Sequence, residues 1–357
     1  GTLISAVLHL FLSKWRRAIF RAAEAMTVFD VINAGLFPII HMGRPWNFYW
    51  IIPYPNQREL WVNFKSPLVW DFVAITTYLT LSAMFLYVGM IPDLASLRDK
   101  VKGRVRKFFY TLLSLGWKGS DREWRNFNKV YTFFAAFATP VVVSVHSVVS
   151  WDFAVSIIPG MHSTIFPPYF VSGAIFSGVA MIVTLITPIR RIFKIERYIT
   201  SWHYDNLGKL LLITSFIVTF SYGVEFFLAF ISGNTFEWEQ FRFRATGDYK
   251  ELFWIMVICN CLVPLFCLSR KIRTNIPVMF VISILVNVGM WIERFIIVIC
   301  SLTHAFVPYT WDFYSPMLIE TLVTIGAFGW FFMWFLLFAK FFPIVSIAET
   351  KELCEKK

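Results

Sequence analysis

Charge is scarce in this chain: 15% of its 357 residues are Asp, Glu, Lys or Arg, against 57% hydrophobic. That balance excludes a soluble globular domain. Cysteine is sparse too, with five residues, and no two of them stand in a CxxC pair or a CxxCH haem-attachment run. Cluster-forming thiolates and covalent haem are therefore excluded for this chain itself. Cys259, Cys261, Cys267 and Cys300 lie in apolar runs, where a free cysteine behaves as a small buried apolar residue. A haem held between helices needs histidines on facing spans, yet of the six histidines only His146 sits deep in an apolar run. No phosphate-cradling P-loop is present. The opening segment also lacks the basic flank and small-residue cleavage site of a signal peptide.

What the chain has instead is apolar length, including 40 Phe and 15 Trp. Apolar runs at about 1–12, 18–40, 67–91, 130–157, 169–193, 208–232, 252–269, 276–302 and 317–342 mostly approach the ~20 residues that cross a bilayer core. The expected fold is all-α, a polytopic transmembrane helix bundle forming one integral membrane domain over 1–357. The first run is short, and Gly1 is no start methionine, so the chain is expected to begin inside a span. The net charge of +11 reports orientation and contact with anionic lipid, not nucleic acid. Of the 33 Lys and Arg, 26 fall in one set of alternate connections (13–21, 92–129, 190–209, 270–273 and 340 onward), and six, Arg44, Arg58, Lys65, Arg242, Arg244 and Lys250, fall in the other. By the positive-inside rule the first set is cytoplasmic. Within it, Lys100–Lys107 followed by Phe108-Phe109-Tyr110-Thr111-Leu112-Leu113 reads as a basic interfacial helix.

Chemistry concentrates in two places. His41, Arg44 and Asp71 flank the connection between the second and third runs, on the non-cytoplasmic side. Ionisable groups at a lipid boundary are costly and are kept for substrate or proton handling. Oxidation of a quinol releases two protons, which a neutral histidine and a carboxylate at one depth can accept while the lipid tail stays in the bilayer. Arg44 would hold Asp71 ionised or bond a quinone oxygen. The plainer reading is a capping histidine and a surface Arg–Asp pair. The second place is a layer of His146, Glu225, Glu293 and Arg294, each roughly 16–18 residues from the cytoplasmic end of its run, hence about 25 Å deep at ~1.5 Å per residue. Ser221 and Tyr222 share the helix face of Glu225, which suggests a proton path. Asp152 is six residues beyond His146, about 240° around a helix, so the two cannot face one ligand unless the helix breaks. The plainer reading of the layer is a set of internal ion pairs holding helices together.

Several runs resemble one family over essentially the whole chain. They are His41-Met42-Gly43-Arg44-Pro45-Trp46, Pro53-Tyr54-Pro55-Asn56, Ser66-Pro67-Leu68-Val69-Trp70-Asp71, His146–Ser156, Thr164–Phe170 and Asn287–Phe295. They resemble the NrfD/PsrC membrane subunits of polysulfide reductase-type complexes, and within them the quinol-oxidising ActC component of bacterial alternative complex III. The homologous ActF component is similar in pattern. The resemblance implies ten spans, a menaquinol site near the periplasmic face of a bacterial inner membrane, and His41 and Asp71 as its catalytic pair, with Arg44 and Trp46 completing the quinol-binding set. It implies as partners an iron–sulfur (B-type) subunit, multihaem cytochromes, a homologous membrane subunit and a terminal oxidase, with menaquinol as substrate and no haem or cluster on this chain. His146, Asp152, Ser221, Tyr222, Glu225, Glu293 and Arg294 form the expected proton path. Rival readings are a proton-conducting or secondary transporter subunit, for which inverted repeats with broken helices would be the mark, and a passive membrane anchor.

Overall fold

The computed structural model describes residues 1–41, 44–52 and 66–350. Among them every regular element is helical: α1 (Thr2–Leu10), α2 (Phe20–His41), α3 (Pro67–Lys100), α4 (Arg104–Leu113), α5 (Asp121–Ala154), α6 (Phe166–Ile192), α7 (Ser201–Ile231), α8 (Thr235–Thr246), α9 (Lys250–Val257), α10 (Arg270–Arg273), α11 (Ile276–Thr303) and α12 (Leu318–Phe341). Eight of these segments are long and apolar enough to cross a membrane, with α9 continuing through a π turn and a 3-10 turn to Leu268 as one of them. The protein is a multi-pass all-helical membrane protein. The ninth expected span, at 1–12, is the nine-residue α1, which rises only about 14 Å as a helix. Helices outrun their apolar stretches at the basic ends: α3 continues past residue 91 to Lys100 and α5 starts at Asp121, not 130. Apolar length marks where lipid stops, and the backbone ladder continues into the interface.

The helices sort into two compact units, with boundaries inside α3, α5 and α12. Unit 1 comprises residues 1–65, 72–143 and 322–357. Its core packs Ala6, Phe20, Leu81, Phe85, Tyr131, Ala135 and Ala138, with the Phe85 and Tyr131 rings stacked at 4.6 Å. Beside this core lies a buried ionic network. Arg21, 1% exposed, bridges Asp93 at 3.0 Å and Glu24 at 3.8 Å and donates to the Gly89 carbonyl at 2.7 Å. Glu24 also accepts from Ser5 (2.6 Å) and Tyr131 (2.7 Å). A buried pair broken on one side costs about 3–5 kcal/mol, so this network fixes how α2 and α3 meet. The segment read as an interfacial helix contains α4, along which Val105, Phe108, Phe109 and Leu112, spaced i, i+3, i+4, i+7, lie exposed.

Unit 2 comprises residues 66–71 and 144–321, and within it α6 packs against both α7 and α11. In α7 the buried stripe is Tyr204, Leu207, Leu211, Thr214, Val218, Ser221, Tyr222, Glu225 and Ala229, while Ile213, Phe216, Ile217, Phe220 and Phe227 are exposed. Ser221, Tyr222 and Glu225 thus lie on the packed face while large apolar side chains fill the exposed one, as expected of a lipid-facing helix.

Candidate functional site

Asp71 stands in the first turns of α3, and Asp152 lies in the last turn of α5. Pro67 opens α3 with the fixed φ that suits a helix start, which sets Asp71 just inside the span. Within unit 2 the two carboxyl groups come within hydrogen-bonding reach of each other. One oxygen of each, Asp71 Oδ1 and Asp152 Oδ1, is buried with no hydrogen-bond partner among the described residues. Buried polar atoms are almost always paired, so these two oxygens are acceptors open to a donor. Asp152 thus leaves the set expected to share a path with His146. Helix α5 runs unbroken to Ala154, so six residues of helix hold His146 and Asp152 on different faces.

His41 is the last residue of α2; its side chain lies outside the described residues, as do Pro53–Lys65 of the following connection. Arg44 caps a short 3-10 helix, Pro45–Ile51, whose residues are largely exposed, with Trp46 70% exposed.

The predicted layer comes together in unit 2, with different partners than spacing suggests. Tyr222 donates to Glu293 Oε2 across the α7–α11 interface, and Asn260 Nδ2 donates to Tyr222 Oη at 2.8 Å. Arg294 pairs with Glu293 at 3.3 Å and lays its guanidinium 3.8 Å from the centre of the Phe170 ring, a cation–π contact. His146 lies within electrostatic range of Arg294. Glu225, 5% exposed, keeps Oε1 unpaired among the described residues. It faces a small cavity of about 30 Å³ with Glu293, Arg244, Tyr169 and Tyr222, about the room one water needs. Ser221 does less than expected: its hydroxyl donates to the Ile217 carbonyl of its own helix at 2.9 Å. Glu320, also ionisable within an apolar run, is a cap that accepts from Met317 N (2.7 Å) and Tyr314 Oη (2.8 Å).

Two members of this site escape a reading of the sequence. Asn260 sits in the π turn Ile258–Leu262, a local distortion of the helix that periodicity does not announce and that recurs at functional sites. Gly289 of α11 faces it: a Cβ there would overlap Asn260 Oδ1 and come within 2.6 Å of Cys259 Cβ. The glycine therefore lets α11 approach the turn closely enough for Asn260 to reach Tyr222. Arg244 reads as a loop base, yet α8 folds it back to 3% exposure. It donates to the Gly160 carbonyl at 2.6 Å and Ser301 Oγ at 3.2 Å. Gly160 has φ of +80°, and a Cβ would meet Arg244 Nη2 at 2.8 Å. Next to it Glu237 accepts from the Gly160 N–H at 2.9 Å, and burial pushes its carboxyl above the usual range.

Residues 1–307 match the family Polysulphide reductase, NrfD. The chain belongs to the NrfD family. It is also similar to a protein of Halobacterium salinarum named provisionally as a membrane subunit of dimethyl sulfoxide reductase, with 26% identity over 299 residues. The matched stretch is 82% of this NrfD-family chain and 63% of that relative, so the chain spans somewhat under two thirds of the relative's length. Both the Asp71–Asp152 pair and the Tyr222–Glu293 layer fall inside the family match.

Proposed function

We propose that this chain is the quinol-handling membrane subunit of a respiratory oxidoreductase complex, built like those of polysulfide and dimethyl sulfoxide reductases. The observation that carries this reading is the pair of orphaned carboxyl oxygens on Asp71 and Asp152, placed near one end of their spans where a lipid-soluble diol can present a hydroxyl. Asp71 takes one proton of the quinol and His41 the other, and Asp152 shares the proton that Asp71 receives. Arg44 and Trp46 complete the quinol-binding set that the resemblance implies. The two electrons leave to a cofactor on an iron–sulfur partner. In the finer form of the proposal the substrate is menaquinol, the site faces the periplasm and the complex is alternative complex III, where multihaem cytochromes and a terminal oxidase accept the electrons. The run from His41 to Trp46 and the 26-to-6 distribution of basic residues support it. In the purified complex, His41→Ala or Asp71→Asn should lower quinol oxidation by about 10² or more, the usual contribution of a positioned acid or base, with assembly intact. Wild-type turnover in both variants would leave the chain an anchor.

A second role, proton conduction, rests on the cavity between Glu225, Glu293 and Arg244. Protons released at the outer end of the spans can leave directly to water, so redox chemistry alone requires no buried carboxylates at mid-depth. Glu225→Gln in proteoliposomes should lower the number of protons moved per electron while leaving turnover near normal. An unchanged ratio would make the layer a structural clamp.

A further inference from the structure

We propose that the large cavity at the basic end of unit 1 binds the phosphate of an anionic phospholipid head group. The cavity measures about 920 Å³, room for a head group and its glycerol, and far more than the single-water void of unit 2. Its lining carries four basic residues, Arg16, Arg17, Arg98 and Lys118, against two acidic ones, Asp99 and Glu349; Arg16 pairs with Glu349 and Arg98 with Asp99, each at 2.8 Å, which leaves the lining a net positive charge.

The base of the cavity is rigid. Arg16 is 4% exposed, held by Glu349 at 2.8 Å, Tyr131 Oη at 3.2 Å and His9 Nδ1 at 3.1 Å, and it lies 4.2 Å from the centre of the Phe20 ring. One wall is aromatic: Trp117 meets Trp124 edge-on at 5.1 Å, Trp124 meets Phe127 at 5.7 Å, and Phe127 stacks on Tyr131 at 5.6 Å. A soluble anion needs no such wall. An amphiphile does, since its glycerol and first methylenes must be covered where its phosphate is paired.

The cavity adjoins α4: Arg98 of its lining donates to Ser114 Oγ, just past the end of that helix, at 3.3 Å. The stripe Val105, Phe108, Phe109 and Leu112 of α4 lies exposed within the same unit, as expected of a helix at the head-group boundary. Basic side chains at that boundary attract anionic lipid, at about 1 kcal/mol each. The N-terminus of α5 is not the anion site, because Glu123 already accepts from the Ser120 N–H at 2.8 Å and the Lys118 N–H at 3.3 Å. Recognition therefore falls to side chains, with Arg98 and the exposed Lys118 on the rim.

The test uses the full chain, delipidated in detergent, with retained lipid counted by native mass spectrometry after addition of phosphatidylglycerol, phosphatidylcholine or inorganic phosphate. Phosphatidylglycerol should bind at least one molecule that survives activation, and phosphatidylcholine should not. Arg98→Gln with Lys118→Gln should weaken that binding about tenfold or more, from two lost head-group charges. Lys118→Glu alone, a change at an exposed position that disturbs no packing, should weaken it in the same direction. Equal retention of both lipids, or phosphatidylglycerol binding that none of these variants moves, would overturn the proposal. So would displacement of phosphatidylglycerol by inorganic phosphate at equal concentration, which would make the ligand a soluble anion.

Discussion

Tyr222→Phe is the sharpest probe of the buried layer, since it removes one oxygen and nothing else. That oxygen donates to Glu293 and accepts from Asn260 at 2.8 Å, and both partners are almost fully buried, at 1% and 0% exposure. In water-soluble proteins a hydrogen bond to a charged group contributes about 1.5–3 kcal/mol. In membranes the measured average for interhelical bonds is nearer ~0.6 kcal/mol, with a maximum of about 1.7, because the unfolded chain in lipid also finds partners. Two lost bonds thus set a floor of about 1 kcal/mol. The upper end of the range for a hydrogen bond to a carboxylate sets a ceiling of about 3 kcal/mol. Reversible unfolding in mixed micelles, followed by tryptophan fluorescence, measures the loss directly. Combined with Glu293→Gln the two changes should be non-additive by about 1 kcal/mol, as for residues in one network. A cost below about 0.5 kcal/mol for Tyr222→Phe, or strict additivity, would refute the view that this hydroxyl joins α7, α11 and the π turn.

The remaining predictions concern geometry and protonation. Gly289→Ala must push α11 away from Asn260 and Cys259, so it should destabilise by about 1–3 kcal/mol, the usual range for overpacking, and a neutral result in the same unfolding assay would contradict the close approach. Glu237 has its carboxyl pushed up by burial, so the folded state binds the proton more tightly than the unfolded one. Its contribution is present below the ordinary glutamate value of about 4.3 and is lost as pH rises through the raised folded value. Glu237→Gln keeps an acceptor for the Gly160 N–H and should flatten that slope, raising the thermal midpoint at about pH 8 relative to wild type more than at about pH 5; parallel profiles would count against it.

Much of this protein is legible without coordinates, for one physical reason. Lipid cannot satisfy backbone polar groups, so long apolar runs must become helices, and eight of the nine runs read from the sequence are spans long enough to cross. The same logic picks out Glu225, Glu293 and Arg294, since a charge at that depth has to face protein. The apolar stripe of α4 is equally readable, because its i, i+3, i+4, i+7 spacing repeats on any surface it lies on. Tertiary structure decided who meets whom. Lipid faces and packed faces are both apolar, so periodicity cannot orient α7, and its polar residues find partners only through helix rotation. Tyr222 lies one turn from Glu225 yet bonds Glu293 across the interface. Asp152 leaves His146 for Asp71, because α5 does not break. Arg244, read as a loop base, is carried inward by α8 over a glycine with positive φ. Asn260 reaches Tyr222 only because a π turn rotates it there and Gly289 leaves space. Each of these depends on where two distant stretches of backbone come to lie, and residue spacing along one chain carries no information about that separation.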